Sequence, residues 1–254
     1  MRAMFAGLAA LLIALPALAQ TVEQPSGSAT PAEEAEQEAE MKQMTDHAQL
    51  YHLVLVEGDY ARSGGEDIFN WEGDAWIGGD YNKLWLKSEG EVEGGSTKQA
   101  EVQALYSRNI WTFFDAQIGA RYDIEPHGHA YLAAGVQGLA PYLLETDIAA
   151  FLSDEGHVSV RFKQSFDLLI TQRLILEPSV EADVYFQDIP EDEKGSGLSK
   201  LETGVQARYE FTRKFAPYVA AIYERRFGDT ARLVRASGED VGGWQIRTGV
   251  RFWF

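Results

Sequence analysis

The chain has 254 residues, 39 acidic against 22 basic, a formal net charge of -17 and no cysteine. A surface this acidic repels phosphate and excludes nucleic acid as a partner, while the missing thiols exclude disulfides and thiolate metal sites. Beyond the N-terminus no apolar run approaches the length of a membrane helix, so any crossing of a bilayer has to be made by strands.

Arg2 supplies a positive start, Phe5 to Leu15 an apolar core, Pro16 a break and Ala17-Leu18-Ala19 a small-x-small cleavage pattern. This predicts a signal peptide over residues 1–19 and export of a mature chain starting at Gln20. The apolar run is too short for a membrane anchor. From Gln20 to Ala48 the chain is rich in Glu, Gln, Ala, Pro and Ser, with Val22 its only branched aliphatic residue. It has little to bury, which predicts a disordered acidic segment over residues 20–48. Met41, Met44 and His47 near its end are soft and borderline metal ligands. A plain linker accounts for them at least as well.

Residues 49–254 repeat one theme: segments alternating apolar and polar, separated by turn residues, at the length and period of barrel strands. Twelve segments are expected, near Leu50–Ala61, Asp67–Gly78, Leu84–Val92, Gln99–Ser107, Trp111–Asp123, His129–Gly138, Tyr142–Ser153, His157–Leu169, Leu174–Tyr185, Leu201–Phe211, Pro217–Arg226 and Gly243–Phe254. The connections also alternate. A tight set comprises Gly79-Asp80-Tyr81, Asn109-Ile110, Leu139-Ala140-Pro141, Ile170-Thr171-Gln172 and Thr212-Arg213-Lys214. The other set is longer or more polar, and includes Glu125–Gly128, Asp188–Gly197 and Gly228–Val241. Short periplasmic turns against longer outer loops are the asymmetry of an outer-membrane barrel, and a soluble sandwich has no reason to sort its loops this way. The expected fold is therefore all-β: a transmembrane up-and-down antiparallel β-barrel of about twelve strands, in the cell outer membrane, preceded by a disordered N-terminal segment.

Parity assigns the faces. Leu84, Leu86, Ile118, Leu132, Val205 and Val219 are among the residues expected to face lipid. The charged residues are expected to face inward, Glu101, Arg121, Arg161, Lys163, Arg208, Glu210, Arg247 and Arg251 among them. A charge on the lipid face costs about 2–4 kcal/mol near mid-bilayer, so this segregation is required. His52 and Arg225 fall on the apolar parity near the rims. Pro178 falls there mid-strand, where a residue that cannot donate to the ladder predicts a bulge. The closing segment, Trp244 to Phe254, is expected to pair with Leu50–Ala61, with Phe254 as an assembly signal and Arg247 and Arg251 as partners for Glu57 and Asp59.

The lumen so drawn is acidic with interleaved bases. An ion-pair network that fills a narrow barrel explains it. So does a cation path along Glu57, Asp59, Glu72, Asp74, Glu89, Glu145, Asp147, Glu181 and Asp183, because acids outnumber bases there. His127 and His129 lie in one outer loop and His157 in the next. His-x-His in extended chain puts both rings on one face, compatible with copper or zinc, and a solvated loop explains them about as well. No Gly-x-Ser-x-Gly elbow and no rim Ser/His pair is present, so no enzyme is expected.

Trp76-Ile-Gly-Gly-Asp-Tyr-Asn-Lys-Leu-Trp-Leu-Lys87 resembles the Trp-x-Gly-x-Asp-x-x-Lys-Leu-Trp stretch of the copper resistance protein B family (CopB/PcoB). Gly138 to Tyr142, Thr171 to Pro178, Arg208-Tyr209-Glu210, Phe215-Ala216-Pro217-Tyr218 and the ending Val250-Arg251-Phe252-Trp253-Phe254 are similar to that family in the same order. The resemblance implies an outer-membrane protein of copper tolerance, in contact with membrane lipid, binding or transporting copper ions rather than using them catalytically. It also implies a periplasmic multicopper oxidase of the same system as a partner. Family members often carry a Met- and His-rich tether; here the acidic segment retains only Met41, Met44 and His47. A general small-solute or cation porin is the alternative function, and a lipid-acting barrel enzyme a third for which the sequence offers no site.

Overall fold

The computed structural model describes residues 50–254. The expected signal peptide, the acidic segment and its Met41, Met44 and His47 lie outside the described residues.

The described chain runs as β1 (Tyr51–Ser63), β2 (Glu66–Gly78), β3 (Asn82–Glu93), β4 (Ser96–Trp111), β5 (Phe114–Glu125), β6 (His129–Ala140) and β7 (Leu144–Ser153). It continues as β8 (Val158–Ser165), β9 (Leu168–Leu169), β10 (Leu174–Tyr185), β11 (Gly197–Tyr209), β12 (Phe215–Arg226), a helix α1 (Gly228–Ser237) and β13 (Gly242–Trp253). Apart from β8 and β9, each strand pairs antiparallel with its neighbour in sequence, and β13 pairs back to β1, so the sheet closes on itself. Both β8 and β9 face β10 in one continuous register, with Ser165 opposite Ser179 and Leu168 opposite Leu176, so together they form one stave. The result is a closed barrel of twelve antiparallel staves.

Closure is made at the stretch expected for it. Arg251 faces Glu57 and Arg247 faces Ala61 across the seam. Val54 and Phe254 exchange backbone hydrogen bonds of 3.0 and 2.9 Å. Beside the seam, the Phe252 and Phe215 rings pack across the β12–β13 pair, tilted at 32° with centroids 5.0 Å apart.

The burial pattern inverts that of a soluble protein. Val54, Val56, Leu84, Leu86, Ile118, Leu132, Val205, Val219 and Ile246 are exposed on the outer wall. Glu101, Arg121, Asp123, Arg161 and Arg208 are buried inside. Leu132, the fourth residue of β6, is 67% exposed on the outer wall. Leu132→Arg is therefore expected to lower folding stability in lipid by about 1–4 kcal/mol, between the interface and midplane costs, read by denaturant titration in vesicles; unchanged stability would place Leu132 away from lipid.

Four local expectations are corrected. Pro178 makes no bulge: the facing stave leaves the ladder at Phe166 and Asp167 instead, and the Phe166 N–H still donates to the Pro178 carbonyl at 3.3 Å. The missing proline donor is thus absorbed by a gap between β8 and β9 with no change of register. The only register shift along β10 and β11 is at Asp183/Val184. The turn expected at Asn109-Ile110 falls at Thr112-Phe113, because the Asn109 side chain donates to the Trp111 carbonyl at 2.8 Å and to Asp115 at 2.9 Å. The turn expected at Leu139-Ala140-Pro141 falls at Pro141–Leu143, with Tyr142 and Leu143 in the left-handed region. Glu210, expected inside, lies just past the end of β11, its N–H bonded to the Arg173 carbonyl in the adjoining turn.

The connection Gly228–Val241 also holds more than a loop. Asp229 sits in the first turn of α1 and Arg235 in the last, both favourable to the helix dipole. Thr230, Ala231 and Val234 form its buried stripe. Gly238, at φ 89°, ends it by donating to the carbonyls of Val234 and Arg235, a cap that only the left-handed region supplies.

Candidate functional site

The lumen is a cavity of about 750 Å³ lined by both walls of charged residues. At its centre the Arg161 guanidinium, from β8, binds Glu89 of β3 and Glu101 of β4, the latter through bonds of 3.0 and 3.1 Å. Arg161 also bonds Asp183 at 3.1 Å. Glu101 is shared with Arg121 at 2.6 Å, and Arg121 forks onto Asp123 at 2.5 and 2.9 Å. Lys163 reaches Glu89 at 2.6 Å, and Lys87 reaches Asp147 at 2.6 Å. Arg161 with Glu89 and Glu101, Lys163 with Glu89 and Lys87 with Asp147 run between the β3–β4 wall and the β7–β8 wall and so bridge the lumen, while the Arg121 pairs and Arg161–Asp183 stay within one strand or between neighbouring strands. Each ion taken from water costs several kcal/mol unless it is paired and hydrogen-bonded, which is why the network is this dense.

The candidate cation-path residues divide accordingly. Glu57 is bound by Arg251. Glu72 lies 3.5 Å from Lys163, and Glu181 lies 3.6 Å from Lys200 and 3.7 Å from Lys163. Glu89 and Asp147 belong to the bridging pairs above, and Asp183 pairs with Arg161 on the neighbouring strand. Asp59 accepts from Asn70 at 2.8 Å and from Tyr218 at 3.1 Å. Asp74 and Glu145 line the cavity and make no ion pair among the described residues. Asp183 is not among the cavity-lining residues. The expected pairing of Arg251 with Glu57 forms, and extends to Glu177 at 3.1 Å. Arg247 does not serve Asp59; it lies 3.5 Å from Glu202.

Sequence reasoning missed two apolar patches inside the lumen. Leu105, Tyr131, Ala133 and Phe151 form one and Tyr218, Ala220 and Ile222 the other. The Arg121 guanidinium lies over Tyr131 and Phe151, 5.1 and 4.7 Å from the ring centroids. The aromatic residues on the inward parity were the available signal, and the abundance of charges around them masked it.

The histidines lie at the outer mouth. His127 is in the β5–β6 connection, His129 opens β6, and their ring centroids are 6.3 Å apart at 54°. His127 Nδ1 lies 2.8 Å from Asp192 Oδ1, on the 3-10 turn Pro190–Asp192 of the β10–β11 connection. His129 Nδ1 lies 3.6 Å from Asp154, and His157 Nδ1 3.7 Å from Glu155. His127 and His129 are thus brought together, while His157 does not join them. Among the described residues no group of three or more His, Asp or Glu is set to hold a metal. As a donor set, two imidazoles suit copper, and the Asp192 contact leaves His127 Nε2 uncommitted, so the pair fits a two-histidine contact. Burial pushes the Asp192 carboxyl up, but Lys194 and His127 outweigh it and hold the group below the usual carboxylate range.

A closed barrel with an apolar outer wall and a charged lumen is an outer-membrane β-barrel protein. Two porins share that fold. The NanC porin aligns with a TM-score of 0.55 at 13% identity, over 78% of this chain and 98% of that one. The KdgM porin aligns with a TM-score of 0.50 at 13% identity, over 79% of this chain and 99% of that one. The model of the family described as copper resistance protein B precursor (CopB) matches residues 50–254. The chain is 37% identical to the copper resistance protein B of Escherichia coli over 210 residues, 82% of this chain and 71% of that protein. It is 41% identical to a copper resistance protein B homolog of Pseudomonas syringae pv. tomato over 213 residues, 84% of this chain and 72% of that protein. The chain belongs to the copper resistance protein B family.

Proposed function

We propose that this barrel binds copper ions and contributes to copper homeostasis and resistance, by sequestration or by transport across the outer membrane. The observation that carries the reading is the family match across the whole described barrel. Two features support it: the His127/His129 pair at the mouth and the lumen carboxylates Asp74 and Glu145, which have no ion-pair partner among the described residues. Copper is cargo in this reading. Met41, Met44 and His47 are its candidate contacts on the N-terminal side, and His157 and the lumen acids its further contacts on the barrel. A periplasmic multicopper oxidase of the same system is the proposed protein partner.

A strain lacking the protein is expected to show altered copper sensitivity and altered cell-associated copper, restored by the full chain. A version lacking Gln20–His47 separates the tail's share from the barrel's. Unchanged sensitivity and copper content in the deletion strain would sink the reading. The alternative, a cation porin without specific copper binding, is favoured by the acid-lined cavity of about 750 Å³. Potassium conductance through planar bilayers that is indifferent to copper would support it.

A further inference from the structure

The outer mouth holds a contact that links two distant connections. His127 belongs to the β5–β6 connection and Asp192 to the β10–β11 connection, and their side chains meet at 2.8 Å. A carboxylate can only accept, so the imidazole Nδ1 is the donor and His127 is set in the tautomer that carries its proton there. In the neutral imidazole the lone pair is then on Nε2. The imidazole is half exposed while the Asp192 side chain is only 3% exposed, so the carboxylate is sheltered and the ring's far edge is open.

The carboxylate is also held from behind. Ile189 and Lys194 exchange backbone hydrogen bonds of 2.7 and 3.0 Å, closing a tight hairpin around Pro190–Asp192. Lys194 Nζ lies 3.5 Å from the second oxygen of Asp192. Gly195 donates to Thr230 Oγ1 at 2.8 Å, which ties the hairpin to α1, and Thr230 also bonds Ser199 at 2.9 Å. Asp192 therefore sits on a braced turn and not on a free loop tip. The contact at His129 is of another kind: Asp154 is 3.6 Å away and more than half exposed.

We infer that Asp192 is the positioning residue of a two-histidine metal site at the outer mouth, holding the Nδ1–H of His127 so that Nε2 of His127, together with His129, takes a Cu(II) ion. The inference rests on the copper-binding reading above. A carboxylate behind a metal-binding imidazole fixes its tautomer and orientation and raises its basicity; losing it typically costs 10–100-fold in metal affinity. Because Asp192 and the histidines lie on separate connections, the bound metal also favours the docked position of the β10–β11 hairpin, by reciprocal linkage.

The test uses the full-length protein purified in detergent, titrated with Cu(II) alone, with affinity by calorimetry and coordination by electron paramagnetic resonance. Asp192→Asn is expected to weaken the histidine-dependent Cu(II) site about 10–100-fold and to alter its hyperfine pattern. Asp192→Glu is expected to restore affinity and spectrum, which a merely structural role for the turn would not require. Asp154→Asn is expected to leave both unchanged. Proteolytic cutting of the β10–β11 connection is expected to slow on adding Cu(II) to the parent protein, and not to Asp192→Asn. If His127→Ala and His129→Ala abolish the site while Asp192→Asn leaves it intact, the positioning role is overturned and copper binding stands. If copper binds equally well without either histidine, the site itself is overturned. If the parent protein binds no copper, the copper-binding reading falls as well.

Discussion

Arg161→Ala is expected to destabilise the folded barrel by about 3–5 kcal/mol, the cost of removing one partner from a buried ion pair and stranding the others. Arg161 joins Glu89, Glu101 and Asp183 at once, and its side chain also lies over the Phe151 ring at 5.7 Å. Glu101 would keep Arg121 at 2.6 Å and Gln103 at 2.8 Å, while Glu89 would keep only Lys163. Because Arg161 reaches from β8 to β3 and β4, the same substitution is expected to widen the lumen. Single-channel conductance in planar bilayers should rise, and cation selectivity should increase as a bridging positive charge is lost. Arg161→Lys keeps the charge without the planar fork that binds two carboxylates, so it should fall between the two. Unfolding in denaturant and conductance together decide the matter: a variant with parental stability and conductance would show that the bridge neither braces nor narrows the barrel.

Deletion of Phe254 is expected to cut the yield of folded barrel. Phe254 and Val54 exchange two backbone hydrogen bonds at the seam, and the truncation removes both. At about 0.5–1.5 kcal/mol each, their loss falls on the one pairing that no hairpin turn holds together, since β13 and β1 are at opposite ends of the chain. Next to it, Tyr209, Phe211, Phe215 and Phe252 form a run of ring contacts with successive centroids 5.1, 6.3 and 5.0 Å apart. Phe254→Tyr preserves backbone and ring and should assemble normally. The measurement is the heat-modifiable fraction on unboiled gels of outer-membrane preparations. A truncated protein that assembles at the parental level would mean the seam closes without its last pair.

Much of the barrel was legible in residue order because its causes are local. Alternation along each stave follows from the geometry of extended chain, and lipid on one side forces apolar residues onto one parity. Leu84 with Leu86, or Ile118 with Leu132, could therefore be assigned outward without knowing any neighbour. Staves joined by short turns pair with their predecessors, so the count and the closure followed as well. The expectation broke down where a local rule had two physical outcomes. A proline in a ladder can force a bulge or a gap in the facing stave, and at Pro178 the gap occurred. The α1 stripe of Thr230, Ala231 and Val234 is only a few residues in a polar connection, too short to stand out against a solvated loop.

The candidate site was legible only in part. His127 and His129 are close because only Gly128 separates them along the chain, which the sequence by itself determined. So too did it determine the acidic balance of the lumen and the parity that turns Arg161, Glu89 and Asp147 inward. Their partners were a different matter. Whether Asp74 is paired and Asp147 is not, or the reverse, depends on which stave stands opposite across the lumen and at what height. That is set by closure and register, summed over all twelve staves. The contact between His127 and Asp192, 65 positions apart, is of the same kind: only the tertiary structure decided it, because only a closed ring brings the β5–β6 and β10–β11 connections over one mouth.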